Sequence, residues 1–206
     1  MFITFEGIDF SGKTTQAKLL YEYLKEKKKK VIFVREPGGT YISEKIRDIL
    51  LDKENHNMHF LTEFLLFSAS RQQLVNEVIK PHLKREYIVI CDRYYDSSTA
   101  YQGYGGNLDL KHVNNVNRIA TDGLIPDITF LIDIDYNETL KRKKNEKNID
   151  DRIEQKKKSY YRKVINGYRE IAKKEKRFKV LNGKETVQKL QAEIIKILNN
   201  QKIHKK

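Results

Sequence analysis

Residues 7–14 read Gly-Ile-Asp-Phe-Ser-Gly-Lys-Thr, and this octet constrains the chain more than any other feature. It fits G-x-x-x-x-G-K-[ST], a loop that cradles phosphates. Before it runs Phe2-Ile3-Thr4-Phe5, apolar and β-prone; after it Ala17, Leu20 and Leu24 recur at helical spacing. The loop is thus expected to join a strand to a helix. Its glycines let the backbone curl until the N–H groups face phosphate oxygens, and the helix aims its positive end at the same place. Gly7, Ile8, Asp9, Phe10, Ser11, Gly12, Lys13, Thr14 and Thr15 are expected to hold a nucleoside triphosphate. Lys13 reaches the β/γ-phosphates, and the Thr14 hydroxyl is placed to ligate Mg²⁺.

Strands are expected at Phe2–Glu6, Val31–Arg35, Tyr87–Cys91, Ile128–Asp133 and Phe178–Leu181. Near-continuous apolar runs of this kind indicate strands covered on both faces, hence a parallel sheet. Helices are expected at Lys13–Lys29, Tyr41–Leu51, Phe60–Lys80, Leu108–Thr121, Tyr136–Lys144, Asp151–Lys174 and Thr186–Asn199, with Pro81 ending the third. Alternating elements give an α/β class: a three-layer, phosphate-loop NTPase-type fold with a five-stranded parallel sheet between helices. Residues 1–206 read as a single domain, with a short lid about 142–154 and a frayed tail at 201–206.

Composition enters through charge. The formal net charge is +13. A basic face for nucleic acid is one reading, and a lysine-rich solvated surface around a site for polyanions is the other. The clusters are mostly lysine, scattered over helix faces with few interleaved aromatics, so no nucleic-acid partner is expected. No apolar run approaches the ~20 residues that span a bilayer. Met1 leads straight into a strand without a secretory pattern, and Cys91 is the sole cysteine, so a cytoplasmic protein is expected.

Two distant segments are expected to meet the phosphate loop at the carboxyl edge of the sheet. Val34 leads into Arg35-Glu36-Pro37-Gly38-Gly39-Thr40; Cys91 leads into Asp92-Arg93-Tyr94-Tyr95-Asp96-Ser97-Ser98-Thr99-Ala100-Tyr101-Gln102-Gly103. Asp92 at a strand end suits Mg²⁺ or its waters, or alternatively caps the next helix. Arg35 and Arg93 suit an anion through their guanidinium forks, with ordinary surface charge as the alternative.

These residues carry a resemblance over essentially the whole chain. FEGIDFSGKTT, REPGGT, TEFLLFSASRQQ, DRYYDSSTAYQGYG and DRIEQ in the lid region, taken in order, are similar to thymidylate kinases of the bacterial type, with lid arginines. The resemblance implies transfer of the γ-phosphate of ATP to dTMP, with Mg²⁺, in a homodimer. It implies Phe67 stacked on thymine, Arg71 at its O4, and Ser98 and Gln102 on its edge. Core packing is the alternative for Phe67. The resemblance puts Tyr101 under the deoxyribose, Asp9 at the 3′-hydroxyl, and Arg35, Arg47 and Arg93 on the monophosphate. Glu36 and Pro37 would line the dTMP site, Glu36 near a Mg²⁺-bound water or else as a surface acid. Lys13, Arg93, Arg152 and Asp9 would be catalytic. Arg142 and Asn182 would attend ATP, Asn182 reading equally as a plain turn. Phe10 departs from relatives that carry an arginine inside the loop, which shifts the positive charge to the lid, and to Arg152 above all. A deoxynucleoside kinase and a nucleotide-dependent nucleic-acid-binding protein are the rival readings.

Overall fold

The structure is a computed structural model, which describes residues 1–144, 152–153 and 156–201. Five strands form one parallel sheet: β1 (Phe2–Glu6), β2 (Val31–Arg35), β3 (Ile88–Asp92), β4 (Ile128–Asp133) and β5 (Phe178–Asn182), in the order β2-β3-β1-β4-β5. The chain leaves β1 towards one edge and later crosses to the other. The carboxyl ends beside β1 therefore form the crevice at which ligands gather on such folds.

Side chains alternate between the two faces, as the pleat requires. Ile3 and Phe5 pack with Ala17 and Leu20 of α1 (Lys13–Glu26) and with Leu190 and Ile194 of α9 (Val187–Asn200). Phe2 faces the opposite layer, where Leu74 closes α3 (Phe60–Leu74) and Val75 and Ile79 follow it. Thr4 on β1 and Thr129 on β4 pair their hydroxyls at 2.7 Å inside the sheet, which satisfies two buried polar groups. A third apolar cluster lies under α8 (Lys158–Lys174), where Tyr160, Tyr161, Val164 and Tyr168 pack on Tyr101 and Ile8.

Between these lie α2 (Tyr41–Leu51), α4 (Lys80–Lys84), α5 (Tyr95–Ser98), α6 (Leu110–Thr121) and α7 (Tyr136–Lys143). Three expectations are corrected. Pro81 does not end the long helix. A π-helical stretch at Val75–Ile79 resets the hydrogen-bond ladder, and Pro81 then falls in the first turn of α4, where its missing N–H costs nothing. The helix expected from Asp151 begins at Lys158, with Arg152 and Ile153 in a turn. The segment after Asp92, absent from the expected helices, is helical: α5 continues into a π-helical stretch, Thr99–Gly105. A wide π turn spaces Ser98, Tyr101 and Gln102 differently from an α-helix and recurs at functional sites. Most of the expected lid, and residues 202–206 of the expected tail, lie outside the described residues. Among the described residues no helix is long and apolar enough to cross a membrane.

Candidate active site

The phosphate loop has the backbone its glycines were expected to supply. Gly7 has φ 142° and Gly12 φ 95°. A Cβ at Gly7 would sit 2.7 Å from the Ile132 carbonyl oxygen, so only glycine fits between β1 and β4. Phe10 adopts φ 62° without being glycine, and nothing in the structure explains a phenylalanine there.

Beside the loop opens a cavity of about 330 Å³. Its wall includes Asp9, Lys13, Thr14 and Asp92, the segment Arg35, Glu36 and Pro37 with Arg47 and Arg93, and Phe67, Arg71, Ser98, Tyr101 and Gln102. The sequence thus anticipated most of this wall. It missed Leu51, Ser97 and Ile153.

Arg93 is the hub. It sits just past β3 with φ 70°, a left-handed conformation that costs an L-residue energy and is held by its surroundings. The Arg93 N–H donates to the Phe5 carbonyl and the Tyr94 N–H to Glu6 Oε1, which clamp the turn. Arg93 Nη2 lies 2.5 Å from Asp9 Oδ1, and Nη1 donates to Gly7 O, Ser97 Oγ and Tyr168 Oη. Asp9 also accepts from Tyr101 Oη at 3.1 Å and lies 3.8 Å from Lys13 Nζ. Burial alone raises the Asp9 carboxyl; Arg93 and Lys13 outweigh it, and the net shift is downward. Burial, then Arg93, lowers Lys13 against the pull of Asp92 and Asp9. Two cations that feel one another across one aspartate form a compact positive field.

Arg71 is 1% exposed, and its guanidinium is nearly saturated. Nε donates to Glu36 Oε2 at 2.7 Å, Nη2 to the Tyr94 carbonyl and to Ser98 Oγ, and Nη1 to Asn117 Oδ1. Four of five N–H groups are engaged, which leaves one Nη1–H for a ligand. Glu36 faces Arg71 rather than solvent, so the surface-acid alternative is overturned. Its Oε1 is buried without a partner among the described residues. Burial pushes the Glu36 carboxyl up to about 7, against the pull of Arg71.

Because folding raises this carboxyl from about 4.5, the native state holds the proton more tightly than the unfolded chain. The stabilisation is complete below pH 4.5 and is lost as pH rises through about 7. Glu36→Gln should therefore flatten the pH dependence of stability across this window, removing a contribution on the order of 3 kcal/mol. Urea denaturation of both proteins at pH 5 and pH 8 checks it; parallel curves would contradict it.

Arg35 and Arg47 converge on the Pro37 carbonyl, which they reach at 2.7 and 2.9 Å, and Arg35 pairs with Glu44. The Glu36–Pro37 bond is cis. Asp92 Oδ2 accepts from Thr14 Oγ1 at 2.5 Å, while Asp92 Oδ1 is buried without a partner among the described residues. Asp92 thus does not act as the helix cap that was its alternative.

Arg142 bonds the Phe10 and Ser11 carbonyls of the loop and the Gly183 carbonyl after β5. It ties the loop to the Asn182 turn, where Asn182 Oδ1 accepts from the Lys184 N–H. Arg152 is not at the phosphate loop. It is 6% exposed and pairs with Glu63 at 2.7 Å, because a fully buried carboxylate demands a cation.

A parallel α/β sheet with a phosphate loop, and a cation-lined cavity opening directly beside it, defines a phosphate-loop enzyme that handles nucleotides. A family model for thymidylate kinase matches residues 5–194. A thymidylate kinase of Thermosipho africanus is 50% identical, covering 96% of this chain and 97% of the relative. One of Chlorobium luteolum is 47% identical, over 97% of each. A crystal structure of thymidylate kinase from Ehrlichia chaffeensis superposes with TM-score 0.78 at 39% identity, covering 96% of this chain and 98% of that one. The chain belongs to the thymidylate kinase family, and the two rival readings are set aside.

Proposed function

We propose that this thymidylate kinase phosphorylates dTMP to dTDP with the γ-phosphoryl group of ATP, using the described cavity for dTMP and the phosphate loop for ATP. One observation carries the reading: Lys13, Asp9 and Arg93 share a single cavity with Arg35, Phe67, Arg71 and Gln102. The acceptor oxygen belongs to a phosphate whose second pKa is near ~6, so it is largely ionised at neutral pH and needs no general base. The barrier lies in bringing two polyanions together. Alignment and positive charge lower it.

Arg35, Arg47 and Arg93 hold the monophosphate; Phe67 stacks on thymine; Arg71, Ser98 and Gln102 meet its edge. Tyr101 packs under the deoxyribose and Asp9 takes its 3′-hydroxyl. Glu36 and Pro37 shape the floor. Gly7 to Thr15 enclose the triphosphate, Lys13 bridges to the transferred group, and Arg142 and Asn182 attend the adenosine end. Arg152 adds positive field from its place beside Glu63.

Mg²⁺ fits Thr14 and Asp92: both offer hard oxygens, and the buried Asp92 Oδ1 has no partner among the described residues. The ion, when bound, neutralises phosphate charge. The chain works as one domain, in the cytoplasm and as a homodimer, with no nucleic-acid partner.

A coupled assay for ADP release with Mg·ATP, run over dTMP, dCMP, dAMP and dGMP, tests the reading. Turnover with dTMP at the highest kcat/KM is expected. Equal use of all four would overturn the assignment of the cavity to thymine.

A further inference from the structure

Glu63 lies in the first turn of α3, one helical turn before Phe67, and is fully buried. Neither oxygen is spare. Oε2 takes Arg152 at 2.7 Å and Lys156 at 3.4 Å; Oε1 takes Gln102 Nε2 at 2.8 Å. Lys156 is itself packed over the rings of Phe60 and Tyr160, 3.9 and 4.8 Å from their centroids. Two cations and an amide N–H converge on this one carboxylate, and a carboxylate so engaged serves as an acceptor. Gln102 must then turn its NH₂ group towards Glu63. An amide cannot turn both ends the same way, so Oε1 is the atom left for a ligand in the cavity that Gln102 lines.

We infer that Glu63 is a specificity-determining positioning residue: it locks the Gln102 amide so that the acceptor cavity presents a carbonyl oxygen to N3 of the pyrimidine. The inference rests on the proposed placement of thymine beside Gln102. Thymine and uracil carry a hydrogen on N3 and are accepted; cytosine carries a lone pair there and meets oxygen against nitrogen. The remaining Nη1–H of Arg71 supplies the complementary donor for O4. Without Glu63, Gln102 is free to rotate and satisfy either base.

Initial rates with dTMP and dCMP under saturating Mg·ATP test this in the wild type, Glu63→Gln and Gln102→Leu. Glu63→Gln is expected to narrow the dTMP:dCMP ratio of kcat/KM about tenfold, with KM for ATP unchanged. Release of Arg152 affects both acceptors alike and cancels in the ratio. Glu63→Asp keeps a negative charge for Arg152 and Lys156 but withdraws it from Gln102. It should narrow the ratio too, and it serves if Glu63→Gln does not fold. Loss of activity on both acceptors with an unchanged ratio would make Glu63 merely structural and overturn the inference. A changed ratio in Gln102→Leu with none in the Glu63 variants sinks the inference alone. An unchanged ratio in Gln102→Leu removes the thymine placement, and the inference with it.

Discussion

Arg93→Ala is expected to lower kcat for dTMP phosphorylation by about 10³-fold, the scale set by arginines that neutralise a moving phosphoryl group. KM for dTMP should rise as well, because the same side chain is proposed to hold the monophosphate. The effect is large because Arg93 is held rigidly in place. Its backbone is fixed in a left-handed turn by bonds to Phe5 and Glu6, and its guanidinium is braced by Gly7, Asp9, Ser97 and Tyr168. Arg93→Lys keeps the charge but not the fork and should recover only part of the rate. The lost arginine also leaves Asp9 with Lys13 as its nearest cation, 3.8 Å away, so the Asp9 carboxyl should move up. Steady-state rates in dTMP, with circular dichroism as a control for folding, check the prediction. A fall of less than tenfold would show that Arg93 does not touch the reacting group.

Arg71→Ala carries the second large effect, on two axes at once. It strips the partner from Glu36, which is 5% exposed, and breaking a buried ion pair costs about 3–5 kcal/mol. The loss should be smaller at pH 5 than at pH 8, because a protonated Glu36 does not need a cation. The second axis is recognition. The proposed donor to the base and the brace on Ser98 both disappear, so kcat/KM for dTMP should fall about 10²-fold while KM for ATP holds. Adding Glu36→Gln to Arg71→Ala should restore much of the stability and little of the recognition. Urea denaturation and acceptor kinetics separate the two; full recovery of both would make Arg71 a purely structural residue.

Some of this was legible in the sequence because the physics is local. A strand, a glycine-rich curl and a helix start within fourteen residues leave one solution, and Lys13 and Thr14 follow from it. The sheet was legible from its apolar runs. Arg35, Asp92 and Arg93 were legible because a charged residue at the end of a buried strand has few reasons to be there. What escaped was set by tertiary contacts. Tyr95–Gly105 is rich in polar and glycine residues and is helical because it packs against α8 and α6. Pro81 looked like a stop because a π-helical reset leaves no mark in the sequence. Glu6 and Glu63 are single acids in apolar stretches. Such an acid signals little until the donors around it are seen: Tyr94, Ser97 and Tyr168 for the first, Gln102, Arg152 and Lys156 for the second. Arg152 enters through the resemblance of its lid segment, and its pairing with the buried Glu63 leaves no mark in the sequence.

The central claim is that one cleft gathers both phosphate chains, with Lys13 and Arg93 on either side of Asp9. A compound joining adenosine and deoxythymidine through five phosphates at their 5′ positions measures this directly by calorimetry. The account predicts binding at least about 100-fold tighter than either dTMP or ATP alone, since the second half binds at high effective concentration. It also predicts loss of that gain in Lys13→Ala and in Arg93→Ala. Affinity no better than that of the stronger single nucleotide, or a gain untouched by either substitution, would mean that the two cations serve separate sites.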